Sequence, residues 1–281
     1  MVAADAGSLE RYLAAFDLTL AVMQDAPALE RIAYELAAAA EGVRVLEVRY
    51  SPVLNTRRGL SLADAVEAPL RGLARAEAEL GIRGSVIVCA LRHLQPPISI
   101  RLAELAAHYR GRGVVGFDLA GPERGHPART HRAAFAVAAE AGLGITVHAG
   151  EADGPESIRQ ALDECHARRI GHGTRLHEDR ALLARVREQR LPLEVCITSN
   201  VQTGAVPSYE RHPLRRYLDE GLVVTLNTDN RLVSGTTLTE ELWKAHRYLG
   251  LDWTKLATVT RMAFESAFQS DGINRSLASP R

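Results

Sequence analysis

From residue 43 onward, short apolar runs rich in β-branched residues alternate with longer stretches of helical spacing. That order calls for a parallel sheet with helical crossovers. The strand-like runs cover residues 43–50, 85–91, 114–119, 143–151, 169–173, 193–198 and 222–226, about seven in all. Helical patterns lie between them and close the chain at 238–249 and 253–268, and two more, at 9–23 and 29–40, precede the first strand. Polar groups stand at the carboxyl ends of five runs: Asp118 with Gly121, His148 with Glu151, His172, Ser199 with Asn200, and Asp229 with Asn230. An open doubly wound sheet gathers its site at one switch point between two strands, whereas five converging strand ends need a barrel. The expected fold class is therefore α/β, a TIM (β/α)8-type barrel, as a single domain over residues 1–281 with a polar tail from about residue 270.

The run at 143–151, Leu-Gly-Ile-Thr-Val-His-Ala-Gly-Glu, carries most of the chemistry. Ile145 and Val147 suit a buried parallel strand, and Ala149 and Gly150 leave room for a ligand at its carboxyl end. His148 and Asp229 could hold Zn²⁺ from two strand ends on opposite sides of a barrel mouth. Glu151 is placed to pass protons beside an activated water, and His172, between Gly171 and Gly173, could orient that water or take its proton. Asn200 orients a neighbour rather than reacting, because an amide neither titrates nor ligates zinc well. The remaining histidines, His212 among them, read as structural, and Glu47 with Arg49 reads as a partly buried ion pair.

Other classes of function are excluded by motif and charge. No Gly-x-Gly-x-x-Gly or Walker loop follows a strand, and there is no His-Glu-x-x-His, Pro-Cys-x-x-Cys or Gly-x-Ser-x-Gly. The formal net charge of +0 offers no nucleic-acid footprint, so the expected partner is a small molecule. Cys89, Cys165 and Cys196 form no Cys-x-x-Cys pair and suggest structural thiols in a reducing compartment. Neither a signal-peptide pattern nor a membrane-length apolar run is present, so the expected location is cytoplasmic, with no membrane partner.

Four ordered motifs, His148-Ala149-Gly150-Glu151, Gly171-His172-Gly173, Thr198-Ser199-Asn200 and Asn227-Thr228-Asp229, resemble the adenosine deaminase family of metal-dependent barrel hydrolases. Asp118-Leu119-Ala120-Gly121 and Glu47-Val48-Arg49-Tyr50-Ser51-Pro52 are also similar to strand ends of that family, and the likeness runs from about Ser8 to Phe268. The resemblance implies that His148 and Asp229 bind a catalytic zinc ion, that Glu151 donates a proton to the purine N1, and that His172 positions the attacking hydroxide. It also implies a contact from the Gly121 backbone N–H to N3 and from Asn230 to N7, with Ser199 and Asn200 standing behind the groups that meet the ligand. The implied reaction converts adenosine or 2′-deoxyadenosine to inosine or 2′-deoxyinosine with loss of ammonia.

The chain departs from the family pattern at two places. Asn230 stands where a second Asp is usual, and an amide can still donate to N7. The family's first strand carries a His-x-His pair of further zinc ligands, and this chain has no His before His93. The expectation is an N-terminally shortened chain whose barrel lacks its first strand, binds zinc weakly, and self-associates through the exposed edges. Two other functions stay open: deamination of another 6-aminopurine, such as adenine or a modified nucleoside, and an impaired barrel that at most binds purines.

Overall fold

The computed structural model describes residues 2–40 and 42–268. The strands are β1 (Val45–Tyr50), β2 (Arg83–Leu91), β3 (Val114–Ala120), β4 (Gly144–Ala149), β5 (Arg169–His172), β6 (Leu193–Val195) and β7 (Val224–Leu226). They form one 7-stranded sheet in chain order, and each neighbouring pair is parallel. Parallel strands must be apolar on the face that helices cover, and Val86, Val88, Phe117, Leu119, Val147, Ile170, Leu193, Val195 and Val224 are all fully buried.

Ion pairs across the interior show that the sheet curls. Strand β1 lies at one end of the strand order, yet Arg49 on β1 reaches Glu194 on β6 at 2.7 Å, and Arg169 on β5 reaches Glu47 on β1 at 2.7 Å. The ends of the curl are tied by neighbouring segments. The Arg231 guanidinium after β7 donates to the Leu36 and Ala39 carbonyls ending helix Ala26–Ala38. The Phe268 N–H after helix Trp253–Ser266 donates to Glu47 at 2.6 Å. Among the described residues β1 and β7 do not pair with each other, so the architecture is a (β/α) barrel lacking one strand unit, as expected.

Several sequence expectations need correction. Glu47 and Arg49 do not pair with each other; two residues apart on the strand, they share the inner face, where the curl of the sheet brings each its own partner, Arg169 and Glu194. The run at 193–198 ends early at Val195, because the backbone turns at Cys196 into helix Ile197–Gln202, which carries Ser199 and Asn200. The helical pattern at 209–220 splits into a turn Tyr209–Arg211 and helix Leu214–Asp219. Pro213 is the cause: the residue before a proline is driven out of the helical region, and His212 sits at φ −66°, ψ 132°. Likewise 9–23 becomes two short helices, Leu9–Ala14 and Phe16–Leu20. The polar tail from about residue 270 lies outside the described residues. No described helix is long and apolar enough to cross a membrane.

Candidate active site

The site is built on the carboxyl ends of β3, β4, β5 and β7 and on the helix that follows β6. Strand β4 delivers His148 and then turns sharply at Gly150, φ +70°, where a Cβ would strike the Ile158 side chain. One buried carboxylate holds the turn: Glu123 accepts the backbone N–H groups of Gly150, Glu151, Ala152 and Asp153 at 2.7, 3.0, 2.6 and 2.8 Å. Arg92 faces Glu123 and also donates to the His148 carbonyl, so the turn that aims Glu151 is fixed from both sides. The sequence did not single out Glu123, and nothing in its spacing points to four backbone amides.

His148 and His172 have ring centroids 5.1 Å apart, and different partners hold them. The His148 Nδ1 lies 2.9 Å from Oδ2 of the fully buried Asp118, so it carries the proton and leaves the Nε2 lone pair outward. Burial raises the Asp118 pKa, but His148 and Arg49 outweigh it and hold the carboxyl well below the usual range. Burial in turn lowers the His148 pKa, and Asp118 reverses that to a net rise. An imidazole backed by a carboxylate at one nitrogen is the arrangement that metal-binding histidines use.

His172 is held in the opposite tautomer. The Leu214 backbone N–H donates to His212 Nδ1 at 3.1 Å, so a neutral His212 carries its proton on Nε2. That Nε2–H donates to Asn200 Oδ1 at 3.1 Å, which turns the Asn200 amide nitrogen to His172 Nδ1 at 2.9 Å. His172 Nδ1 is thus an acceptor, and a neutral His172 carries its proton on Nε2, which lies 3.6 Å from Glu151 Oε2.

Glu151 is buried, and its Oε1 has no hydrogen-bond partner among the described residues. Burial pushes its pKa up; His172 opposes that and does not cancel it. A buried carboxylic acid with an unpartnered oxygen is poised to meet a ligand. Asp229 lies beyond β7, its Oδ2 accepting the Ser199 hydroxyl at 2.7 Å. Asp229 and His172 both have left-handed backbone, φ 52° and 63°, an unfavourable state for such residues that recurs at functional sites. Tyr12, which the sequence did not single out, joins this side: its hydroxyl bonds Ser234 at 2.7 Å, and burial and then Asp229 raise its pKa.

Gly121, φ +100°, ends the β3 segment where a Cβ would press on His93 Nδ1 at 3.3 Å. Asn230 uses its Oδ1 to cap Arg231–Ser234 through the Val233 N–H at 2.8 Å, so only its amide nitrogen can face a ligand. Donor atoms of His172, Cys196 and Asp229 lie within 4.8 Å of one another, but the tautomer makes His172 Nε2 a donor of hydrogen, not of a lone pair. Burial, reinforced by Asp229 and Glu241, also keeps the Cys196 thiol protonated. The residues that fit a divalent metal ion are His148, through its outward Nε2, and Asp229, beside the orphaned oxygen of Glu151.

Buried acid, oriented imidazoles and an aspartate at the carboxyl ends of parallel strands define a barrel hydrolase. The adenosine deaminase family model matches residues 1–280, and the chain belongs to that family of aminohydrolases. It is 43% identical over 280 residues to an adenosine deaminase of Mycobacterium tuberculosis, covering 93% of this chain and 76% of that one. A probable adenosine deaminase of Dictyostelium discoideum is 43% identical over 235 residues, covering 83% of this chain, which spans 30% of that relative's length. Among solved structures, an adenine deaminase from Arthrobacter aurescens superposes with a TM-score of 0.91 at 29% identity, covering 98% of this chain and 84% of that one. An Arabidopsis N6-mAMP deaminase gives 0.88 at 28%, with 97% and 83% covered. An amidohydrolase from Burkholderia ambifaria with bound Zn gives 0.85 at 26%, with 90% and 71% covered.

Proposed function

We propose that this chain carries the machinery for hydrolytic deamination of a 6-aminopurine, with adenosine and 2′-deoxyadenosine the preferred substrates and inosine or 2′-deoxyinosine plus ammonia the products. The observation that supports it best is Glu151: a buried acid with raised pKa and an unpartnered oxygen, 3.6 Å from His172 Nε2. A neutral carboxylic acid can donate to a ring nitrogen and make the adjacent carbon electrophilic. His148 and Asp229 would hold a single zinc ion, which when bound supplies Lewis acidity and lowers the pKa of water. His172 Nε2–H then donates to the incoming oxygen and orients it, while Glu151 passes its proton to N1. The Gly121 N–H and the Asn230 amide are assigned to N3 and N7. Catalytic zinc takes three protein ligands, so two donors give weak binding on their own.

A second reading, another 6-aminopurine as substrate, is favoured by the superposition on an adenine deaminase and an N6-mAMP deaminase. The substrate is a free small molecule rather than nucleic acid, in keeping with the neutral net charge, and three buried free thiols fit the cytoplasm. The test is ammonia release by the full chain with added zinc from adenosine, adenine and N6-methyl-AMP. Fastest turnover of adenosine supports the leading assignment, and preference for another member selects the second. No release from any, despite bound zinc, leaves an impaired barrel and overturns both.

A further inference from the structure

The buried histidine after the Tyr209–Arg211 turn has no assigned part in ligand contact, yet its hydrogen bonds lead to the site. Its neighbourhood is closed: His212 is 4% exposed, Asn200 0% and His172 2%. The path starts at a backbone N–H, which can only donate, and each following group has its role fixed by the one before it. Pro213 makes the start possible, because it breaks the helical pattern and holds His212 extended, with the Leu214 N–H turned back onto the ring. Burial, with His172 adding to it, also lowers the His212 pKa to about 3, so His212 stays neutral across physiological pH.

We infer that His212 is a positioning residue: through Asn200 it locks His172 in the Nε2–H tautomer, which keeps a proton on the nitrogen 3.6 Å from Glu151, ready for donation to the substrate, and bars that nitrogen from ligating metal. The inference deepens the function proposed above and shares its assignment of His172 to the reacting face, but the tautomer is measurable without turnover. Around His172 stand the His148 ring, Glu151, Cys196 and Asp229, and the His172 Nδ1 side is the one that the relay occupies.

The experiment is nitrogen NMR of histidine side chains in the full chain labelled with ¹⁵N-histidine and freed of metal by chelation. His172 in the unaltered chain is expected to show a protonated nitrogen at Nε2 and an unprotonated one at Nδ1. His212→Leu should move the two resonances toward each other as tautomers mix, and His212→Gln, whose amide can still donate to Asn200, should restore their separation. Asn200→Asp, which offers His172 Nδ1 an acceptor, should exchange the two assignments. A proton found on Nδ1 in the unaltered chain overturns the inference even if every variant fails to fold. So does a His212→Leu spectrum with the original separation. With the tautomer confirmed but no ammonia released from any purine, the relay stands and the proposed function falls.

Discussion

His148 and His172 lie 5.1 Å apart by ring centroid and are held in opposite tautomers, one by a carboxylate at Nδ1 and the other by an amide N–H at Nδ1. The same side chain thus presents a lone pair at one position and a proton at the other. Which neighbour faces Nδ1 decides between metal ligand and hydrogen-bond donor.

Asp118 sets the first of these states. Asp118→Asn removes the charge that polarises the Nδ1–H of His148, and zinc affinity is expected to fall by about 10–100-fold. Competition with a chromogenic chelator measures it; unchanged affinity would show that His148 needs no such support.

Glu151 separates catalysis from stability. Glu151→Gln cannot give up a proton, so turnover should drop by about 10²–10⁴-fold. Stability should move the other way. The folded-state pKa is raised above 4.5, so wild-type stability declines as pH rises from about 4.5 through that raised value, and above 4.5 the buried carboxyl carries a cost that glutamine avoids. Thermal melts at neutral pH should place Glu151→Gln at or above the wild type, and a clear loss would argue against the raised pKa.

The interior ion pairs give the chain an acid limit. Burial raises the Glu194 pKa, but Arg49 and Arg169 outweigh it and bring the carboxyl to about 2. A depressed folded-state pKa adds stability that is full above 4.5 and is lost as pH falls toward about 2. Glu194→Gln should destabilise by about 3–5 kcal/mol at pH 7, leaving two arginines short of a partner, and should flatten the decline in that acid window. Urea melts across the window check both parts.

Gly144 is needed for room rather than for backbone freedom. A Cβ there would overlap the Phe268 ring, which stacks on the Arg169 guanidinium 3.5 Å from the ring centroid. Gly144→Ala should cost about 1–3 kcal/mol by displacing that ring. Adding Phe268→Ala should make the glycine change nearly neutral, a non-additivity that a double-mutant cycle reads directly.

Strand order and barrel architecture were legible in the sequence because Val86–Val88, Ile145 with Val147, and Val195 lie in short apolar runs rich in β-branched residues with helices between them. His148, Glu151, His172 and Asp229 were legible because small residues flank them at strand ends. What could not be read was the support behind them. Asp118, Glu123 and His212 act through hydrogen bonds to residues 30, 27–30 and 12 positions away, and no local spacing encodes such contacts. His212 looked structural because its chemistry depends on a break at Pro213 that a helical pattern conceals. Glu47 and Arg49 were mispaired for the same reason, since only closure of the sheet brings Glu194 and Arg169 to them.

The most direct measurement is zinc binding by His148→Ala and His172→Ala beside the unaltered chain, by calorimetry, with ammonia release followed on the same samples. The expected result is that His148→Ala abolishes measurable binding, while His172→Ala binds zinc as the unaltered chain does and loses turnover. Binding that survives His148→Ala and disappears in His172→Ala would contradict the assignment of one imidazole to the metal and the other to the proton.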